Sequence, residues 1–364
     1  MATHRIIGFS TKGAGSNEEA RLRGLLRHHS PEIFPFDRQH KARCFRELLK
    51  IAKQRRPDLF VMEGTGVAGG LACLIARALF RTRYVVSSGD AVGPYIRSRT
   101  ILLAPLFAVY ERILCRFCSG FIGWTPYLVG RAMTFGAPRA MTAAGWSLVE
   151  MTDEQRGAAR ERVRRELNIA DDDIVIGIAG SLFWSKRLGY CYGYELVRAM
   201  ERVNRPDVKV LIVGGGAGLD RLRSLAGDRL GKSIFLPGEV PWSSVLNYLS
   251  AMDVGSLPQS VDGLGSFRYT TKISEYAAAR LPIVTGRLPM AYDLDVGWMW
   301  RLRGELPWGD TYVSALAELL NTITREQIAA KRDAIPITVP EFDEQSQVRR
   351  ATEFIGDLLD EMKR

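Results

Sequence analysis

The sequence predicts an α/β protein built from two doubly wound parallel sheets covered by helices. Short apolar runs, each long enough for a strand buried on both faces, alternate with stretches of helical period. Glycine is plentiful, 35 of 364 residues, which suits many tight strand-to-helix turns. The alternation lapses once, between Ala143 and Asp153. At about 150 residues per domain the chain then divides into two, 1–150 and 151–344, with a last helix over 345–364 able to pack on either.

In the first half, Arg5–Ser10 reads as a strand and Thr11–Ser16 as a turn. Asn17 caps a helix running to His28, with two acids in its first turn. A helix over Lys41–Arg55 follows, then strand Asp58–Glu63, a glycine turn and helix Leu71–Phe80. Strand Tyr84–Ser88, an amphipathic stretch 101–118, strand Gly120–Trp124 and helix Tyr127–Phe135 complete it. The second half opens with a charged helix, Glu154–Leu167. Its strands are 174–182, 208–213, 233–236, 254–257 and 282–285; its helices are 187–203, 219–226, 243–251 and 271–280. Two such sheets facing a cleft place ligands beyond the carboxyl ends of the strands.

The formal net charge of +10 is uneven, because residues 1–150 hold 22 Lys+Arg against 10 Asp+Glu. A basic half points to an anionic partner. Seven cations lie between Lys41 and Arg56, and the apolar run Ile101–Tyr110 is in the same half. That pairing suits an anionic membrane surface; the bland alternative is a solvated helix face. The run is far short of the ~20 residues that span a bilayer. Nucleic acid is not expected, since no zinc-finger, RNP or helix-turn-helix pattern is present. Cys115 and Cys118 form a lone C-x-x-C on an amphipathic helix and read as packing residues, with no zinc site. An odd number of cysteines and no apolar leader point to a reducing, cytoplasmic setting, with a peripheral place on the inner membrane face.

Three turns could hold a phosphate. Gly180-Ser-Leu-Phe-Trp-Ser-Lys-Arg187 follows a buried strand and puts Lys186 and Arg187 at the mouth of a helix. A cation there opposes the helix dipole unless an anion lies between, or unless both side chains simply reach water. In Thr270-Thr-Lys-Ile-Ser-Glu275 a threonine caps the helix, and Lys272 and Glu275 share a face, set to hold phosphate and ribose or to form an exposed ion pair. Lys12-Gly-Ala-Gly15 lets backbone N–H groups approach an anion. A competing signal is Gly64-Thr-Gly66-Val-Ala-Gly69, a G-x-G-x-x-G between strand and helix with Asp90 at the end of the next strand. It would serve an NAD(P)-dependent dehydrogenase, although it is not in the first strand–helix unit of its domain.

The second half contains, in order, Ile176-Gly-Ile-Ala-Gly-Ser-Leu with Lys186, Val210-Leu-Ile-Val-Gly-Gly-Gly, Phe235-Leu-Pro-Gly-Glu-Val240, Tyr248-Leu-Ser-Ala-Met-Asp-Val254, Leu257-Pro-Gln-Ser260 and Lys272-Ile-Ser-Glu-Tyr-Ala-Ala-Ala-Arg-Leu-Pro-Ile-Val284. This series resembles the family 4 retaining glycosyltransferases of the GT-B fold, the last segment most specifically. Tyr110-Glu-Arg and Phe121-Ile-Gly-Trp-Thr-Pro-Tyr-Leu resemble weaker landmarks of the same family.

The resemblance implies two Rossmann-like domains, the first on the acceptor side and the second on the nucleotide-sugar side. It implies that Lys186 and Lys272 bind the donor diphosphate and Glu275 the ribose. Gly13 and Gly15 would approach the phosphates; Ser266, Phe267, Thr270 and Thr271 would line the sugar and phosphates; Gly238 and Val240 would lie by the base. Ser181 stands where the family usually has arginine, with Arg187 as substitute. Phe267 stands where many members have the first glutamate of a pair, and Ser87-Ser-Gly-Asp90 where many have histidine, which makes Asp90 the candidate for a sugar or acceptor contact. The implied activity is a retaining glycosyltransferase of hexosyl type, acting in polysaccharide biosynthesis. Its donor is a nucleoside diphosphate sugar, its acceptor a glycan or lipid-linked molecule, its catalytic residues Asp90, Lys186 and Glu275, and it has no metal or resident cofactor. A non-catalytic nucleotide-binding scaffold is the other reading, motivated by Ser181 and Phe267.

Overall fold

The computed structural model describes residues 4–146 and 151–361. Residues 147–150, within the expected boundary, and the last three residues of the expected final helix, 362–364, lie outside them. The chain forms two units: Met1–Gly145 with Phe267–Tyr269 and Pro340–Arg364, and Trp146–Ser266 with Thr270–Val339.

The first unit holds β1 (Ile6–Ser10), β2 (Glu32–Ile33), β3 (Leu59–Glu63), β4 (Arg83–Ser88), β5 (Gly120–Gly123) and β6 (Ala140–Thr142), all parallel, in the order β2-β1-β3-β4-β5-β6. The second holds β7 (Ile174–Ala179), β8 (Val208–Val213), β9 (Ile234–Gly238), β10 (Val254–Leu257), β11 (Ile283–Gly286) and β12 (Met299–Leu302), also parallel, in the order β12-β11-β10-β7-β8-β9. Each is a doubly wound α/β sheet. The central strands β1, β3, β7 and β10 are buried along their whole length, so each Ile, Leu or Val there contributes roughly 1.5–3 kcal/mol of transfer free energy.

Several element boundaries differ from expectation. Ser16, not Asn17, caps the first helix, its hydroxyl accepting from the Glu19 N–H. The helix after β3 starts at Val67, and an unforeseen helix covers Val92–Arg99. The helix expected over 187–203 covers only Tyr194–Met200, because Gly189 and Gly193 adopt φ of +62° and +87°, which a right-handed helix excludes. Helices at Asp310–Thr322 and Arg325–Asp333 were not expected.

All five cysteines are free and buried, as packing residues are; burial pushes the Cys118 thiol up to about 12. Phe267–Tyr269 is held in the first unit by named contacts. The Thr125 hydroxyl donates to the Phe267 carbonyl at 2.8 Å, Arg268 pairs with Asp90 at 2.6 Å, and Tyr269 lies edge-on to Tyr127 and Phe342. The last helix, Glu344–Asp360, also belongs to this unit; Arg27 pairs with Glu344 at 2.8 Å and Phe354 covers Gly120.

Candidate functional site

In the second sheet the winding direction reverses between β7 and β10. Such a reversal opens a crevice beyond the strand ends. Three glycine turns crown it. The Gly180 N–H donates to the Val213 carbonyl at 2.9 Å, Gly214 N–H to Gly238 O at 2.8 Å, and Leu182 N–H to Gly215 O at 2.9 Å. A Cβ on Gly214 would lie 1.8 Å from the Gly180 carbonyl oxygen, so these turns stack backbone on backbone.

Lys272 reaches this floor. A Cβ on Gly180 would be 2.7 Å from its Nζ, so the ammonium lies directly over the turn that leaves β7. Its other wall is Tyr192, whose ring centroid is 4.9 Å from Nζ and whose hydroxyl accepts from Gln259 Nε2 at 3.1 Å. Among the described residues no carboxylate forms an ion pair with Lys272. It sits in the first turn of the helix Thr271–Ala278, where the helix dipole also disfavours a cation. The N-cap, Thr270, makes no capping hydrogen bond, and its buried hydroxyl has no partner among the described residues. Helix N–H groups, a hydroxyl without a hydrogen-bond partner and an ammonium without a close ion pair, all among the described residues, can together hold an anion.

Glu275 lies one turn on, half-buried. Burial pushes its carboxyl up, while Lys272 and a hydrogen bond from Thr271 hold it down. A carboxylate beside an anion site accepts hydroxyls, as a ribose would offer. Ile273 and Tyr276 bury the opposite face, and Tyr276 donates to the Ser256 carbonyl at 2.7 Å. Beneath lies Glu195, fully buried, with Tyr190 and Ser256 hydroxyls donating at 3.1 and 3.2 Å. Burial pushes its carboxyl up to about 7.

The other expected residues are placed as follows. Lys186 and Arg187 are exposed in a turn closed by Ser185 N–H donating to Tyr190 O at 2.9 Å; they do not open a helix, contrary to expectation. Ser181 is exposed on the Gly180 turn. Gly238 ends β9 with φ +93°, and Val240 follows, half-buried. Ser266 is half-buried in a single 3₁₀ turn, and Thr271 is exposed.

In the first unit Gly13 and Gly15 take φ of +108° and +75°, and the Gly15 N–H already donates to Glu19 at 2.8 Å. Asp90 is held by Arg268. Phe267 packs on the first unit's core and lies 5.6 Å from the Arg131 guanidinium.

The G-x-G-x-x-G has a packing explanation. A Cβ would meet Thr11 at 2.5 Å from Gly64, 2.8 Å from Gly66 and 2.7 Å from Gly69, and the Gly66 N–H donates to the Thr11 hydroxyl at 3.2 Å. The three glycines seat one threonine. Sequence reasoning also missed a closed network at the same sheet end. Arg21 donates to Glu63 at 2.6 Å, to Ser87 at 3.0 Å and to the Ala143 carbonyl, and stacks 4.6 Å from Trp124, whose ring N–H donates to Glu63. In the second unit it missed Tyr192, Gln259 and Glu195; the run Tyr190-Cys-Tyr-Gly-Tyr194 was the available signal.

Residues 159–294 match the family model "Glycosyl transferases group 1". No curated protein matches the chain at a significant level. Among solved structures the chain is similar to Anabaena HepE in complex with UDP and glucose, at 19% identity and TM-score 0.67, covering 97% of this chain and 100% of that one. It is similar to sucrose-phosphate synthase from Thermosynechococcus elongatus, at 12% identity and TM-score 0.72, covering 98% and 100%. It is likewise similar to a UDP-forming trehalose-phosphate synthase from Burkholderia xenovorans, in complex with glucose-6-phosphate, at 14% identity and TM-score 0.64, covering 97% and 100%. The fold is that of the GT-B glycosyltransferase structures.

Proposed function

We propose that the protein is a retaining glycosyltransferase of family 4 type, moving a hexosyl group from a nucleoside diphosphate sugar to a glycan or lipid-linked acceptor recognised by the basic N-terminal half. The observation that carries this reading is the Lys272 ammonium, seated over Gly180 at the switch point without a close carboxylate ion pair among the described residues. Breaking the bond between sugar and phosphate leaves negative charge on the diphosphate. Lys272 and the N–H groups opening its helix stabilise that charge as it develops, and Lys186 and Arg187, on the turn closed by Ser185 and Tyr190, are proposed to add to it. Glu275 accepts the ribose hydroxyls. With retention, the acceptor hydroxyl attacks from the face the leaving group vacates, its proton passes to the departing phosphate, and no protein nucleophile takes part. Asp90, fixed by Arg268, is the residue proposed to orient the sugar or acceptor.

The match of residues 159–294 to the family model supports this reading, as do the similar structures whose names carry UDP. A second reading, a nucleotide-binding scaffold without turnover, is favoured by Phe267, which offers an aromatic ring where the resemblance calls for a carboxylate. The test is transfer and hydrolysis of a panel of nucleotide sugars by wild type and Lys272→Ala. Loss of a charge-assisted bond of ~1.5–3 kcal/mol predicts a roughly 10- to 150-fold drop in kcat/KM. Equal rates would remove the proposal; tight UDP binding with no turnover would select the scaffold.

A further inference from the structure

Helical spacing puts five large apolar side chains on one outward stripe beside the helix Ala104–Phe117. They are Leu102, in the turn that leads in, and Leu106, Val109, Ile113 and Phe117. At about 100° per residue the four helical positions fall within an arc of about 80°. Glu111, Leu114 and Cys115, on the opposite side, are buried against the core, so the stripe points directly away from the unit. The five are exposed, from 41% at Ile113 to 91% at Leu102. Isolated exposed apolar residues are ordinary; a continuous stripe the length of a helix marks an interaction surface.

The charge around the stripe identifies the partner. Between Gly64 and Arg139 the sequence holds nine arginines, no lysine and two acids, Asp90 and Glu111. Both acids are already neutralised, Asp90 by Arg268 at 2.6 Å and Glu111 by Arg131 at 2.8 Å. Arg112 and Arg116 flank the stripe on its own helix, and Arg99 ends the helix before it; all three are exposed. A second copy of this chain docked through the same face would bring arginine against arginine. An anionic lipid surface supplies apolar depth for the stripe and negative charge for its rim. No helix among the described residues is long and apolar enough to cross a membrane, so the element would lie on the surface rather than span it.

We infer that the helix Ala104–Phe117 and its lead-in turn form a docking face for an anionic bilayer, with the apolar stripe inserted below the headgroups and the arginines on the lipid phosphates. The inference is independent of the glycosyl-transfer reading, because binding is measured without substrate. The experiment is co-sedimentation of the full chain with phosphatidylglycerol–phosphatidylcholine vesicles and with phosphatidylcholine alone. Wild type binds the anionic vesicles at low salt and is released as salt rises. Leu106→Ser/Val109→Ser/Ile113→Ser lowers the partition coefficient at least about tenfold, since three side chains that insert into the bilayer are lost, while its thermal melt stays that of wild type because all three are exposed in the protein. A second readout needs no triple variant: in Leu106→Trp the emission of the new indole shifts to the blue on anionic vesicles and is quenched by brominated acyl chains. Absence of anionic-vesicle binding, or equal binding by the triple variant, overturns the inference. So does sedimentation analysis showing a dimer that the serine substitutions dissolve.

Discussion

The buried carboxyl of Glu195 makes a prediction that can be worked through from its surroundings. It is fully buried, takes hydrogen bonds from Tyr190 and Ser256, and has no cation within ion-pair distance among the described residues. Burial raises it from 4.5 to about 7. The folded state therefore binds this proton more tightly than the unfolded chain does. The stabilisation this gives is fully present below pH 4.5 and is lost as pH rises to about 7. The shift corresponds to roughly 3 kcal/mol, an order-of-magnitude figure for a buried group. Glu195→Gln removes the ionisation and keeps the shape and most of the hydrogen-bonding capacity. At pH 8 the variant is expected to be more stable than wild type by about 1–3 kcal/mol, raising the melting temperature by several degrees. At pH 4.5 the two should nearly coincide, since both carry a neutral side chain. Thermal melts at half-unit steps from pH 4.5 to 8 measure the difference. A variant offset by the same amount at both ends, or one less stable at pH 8, would refute the reasoning, because the carboxyl would then be tolerated as an anion.

Two further predictions concern glycines. Gly180→Ala puts a methyl group 2.7 Å from the Lys272 Nζ in a backbone conformation that side chains rarely adopt; UDP affinity measured by calorimetry should fall about tenfold or more, with far-UV circular dichroism unchanged. Gly69→Ala places its methyl 2.7 Å from Thr11 Cγ2 and 2.8 Å from the Phe9 ring; it should cost about 1–3 kcal/mol in denaturant unfolding, part of which Thr11→Ser restores. If Thr11→Ser recovers nothing, the three glycines do not serve to seat that side chain.

What was legible in the sequence follows from burial. β7 and β8 are near-continuous apolar runs because both faces of a parallel sheet are covered, so no alternation hides them. The edge strands β2, β6 and β12 are short and carry exposed or half-buried residues, and only their neighbours make them strands. The overlong helix at 187–203 came from reading periodicity through Gly189 and Gly193, whose left-handed φ is set by packing: a Cβ on Gly193 would lie 2.7 Å from Ile212. Lys272 and Glu275 were visible because they share a helix face. The contact of Lys272 with Gly180 and Tyr192 was not, because it joins segments far apart in the chain. The closed Arg21–Glu63 network was hidden for the same reason.

The ends of the two sheets differ in whether their polar groups are already satisfied. In the first unit the Gly15 N–H is taken by Glu19, the Gly66 N–H by Thr11, Glu63 by Arg21 and Trp124, and Asp90 by Arg268. An incoming anion would have to break these bonds. A buried pair broken on one side leaves an uncompensated charge that costs several kcal/mol. In the second unit the ammonium of Lys272 and the hydroxyl of Thr270 have no such partners among the described residues, and Glu275, the nearest acid on the helix, is itself pushed toward its neutral form. Stability alone would favour a carboxylate against Lys272, so its absence there is best accounted for by a charge that arrives with the ligand. On the proposed reading, phosphate chemistry belongs to the second unit, and the first unit's excess of arginine is left for a partner met at its surface.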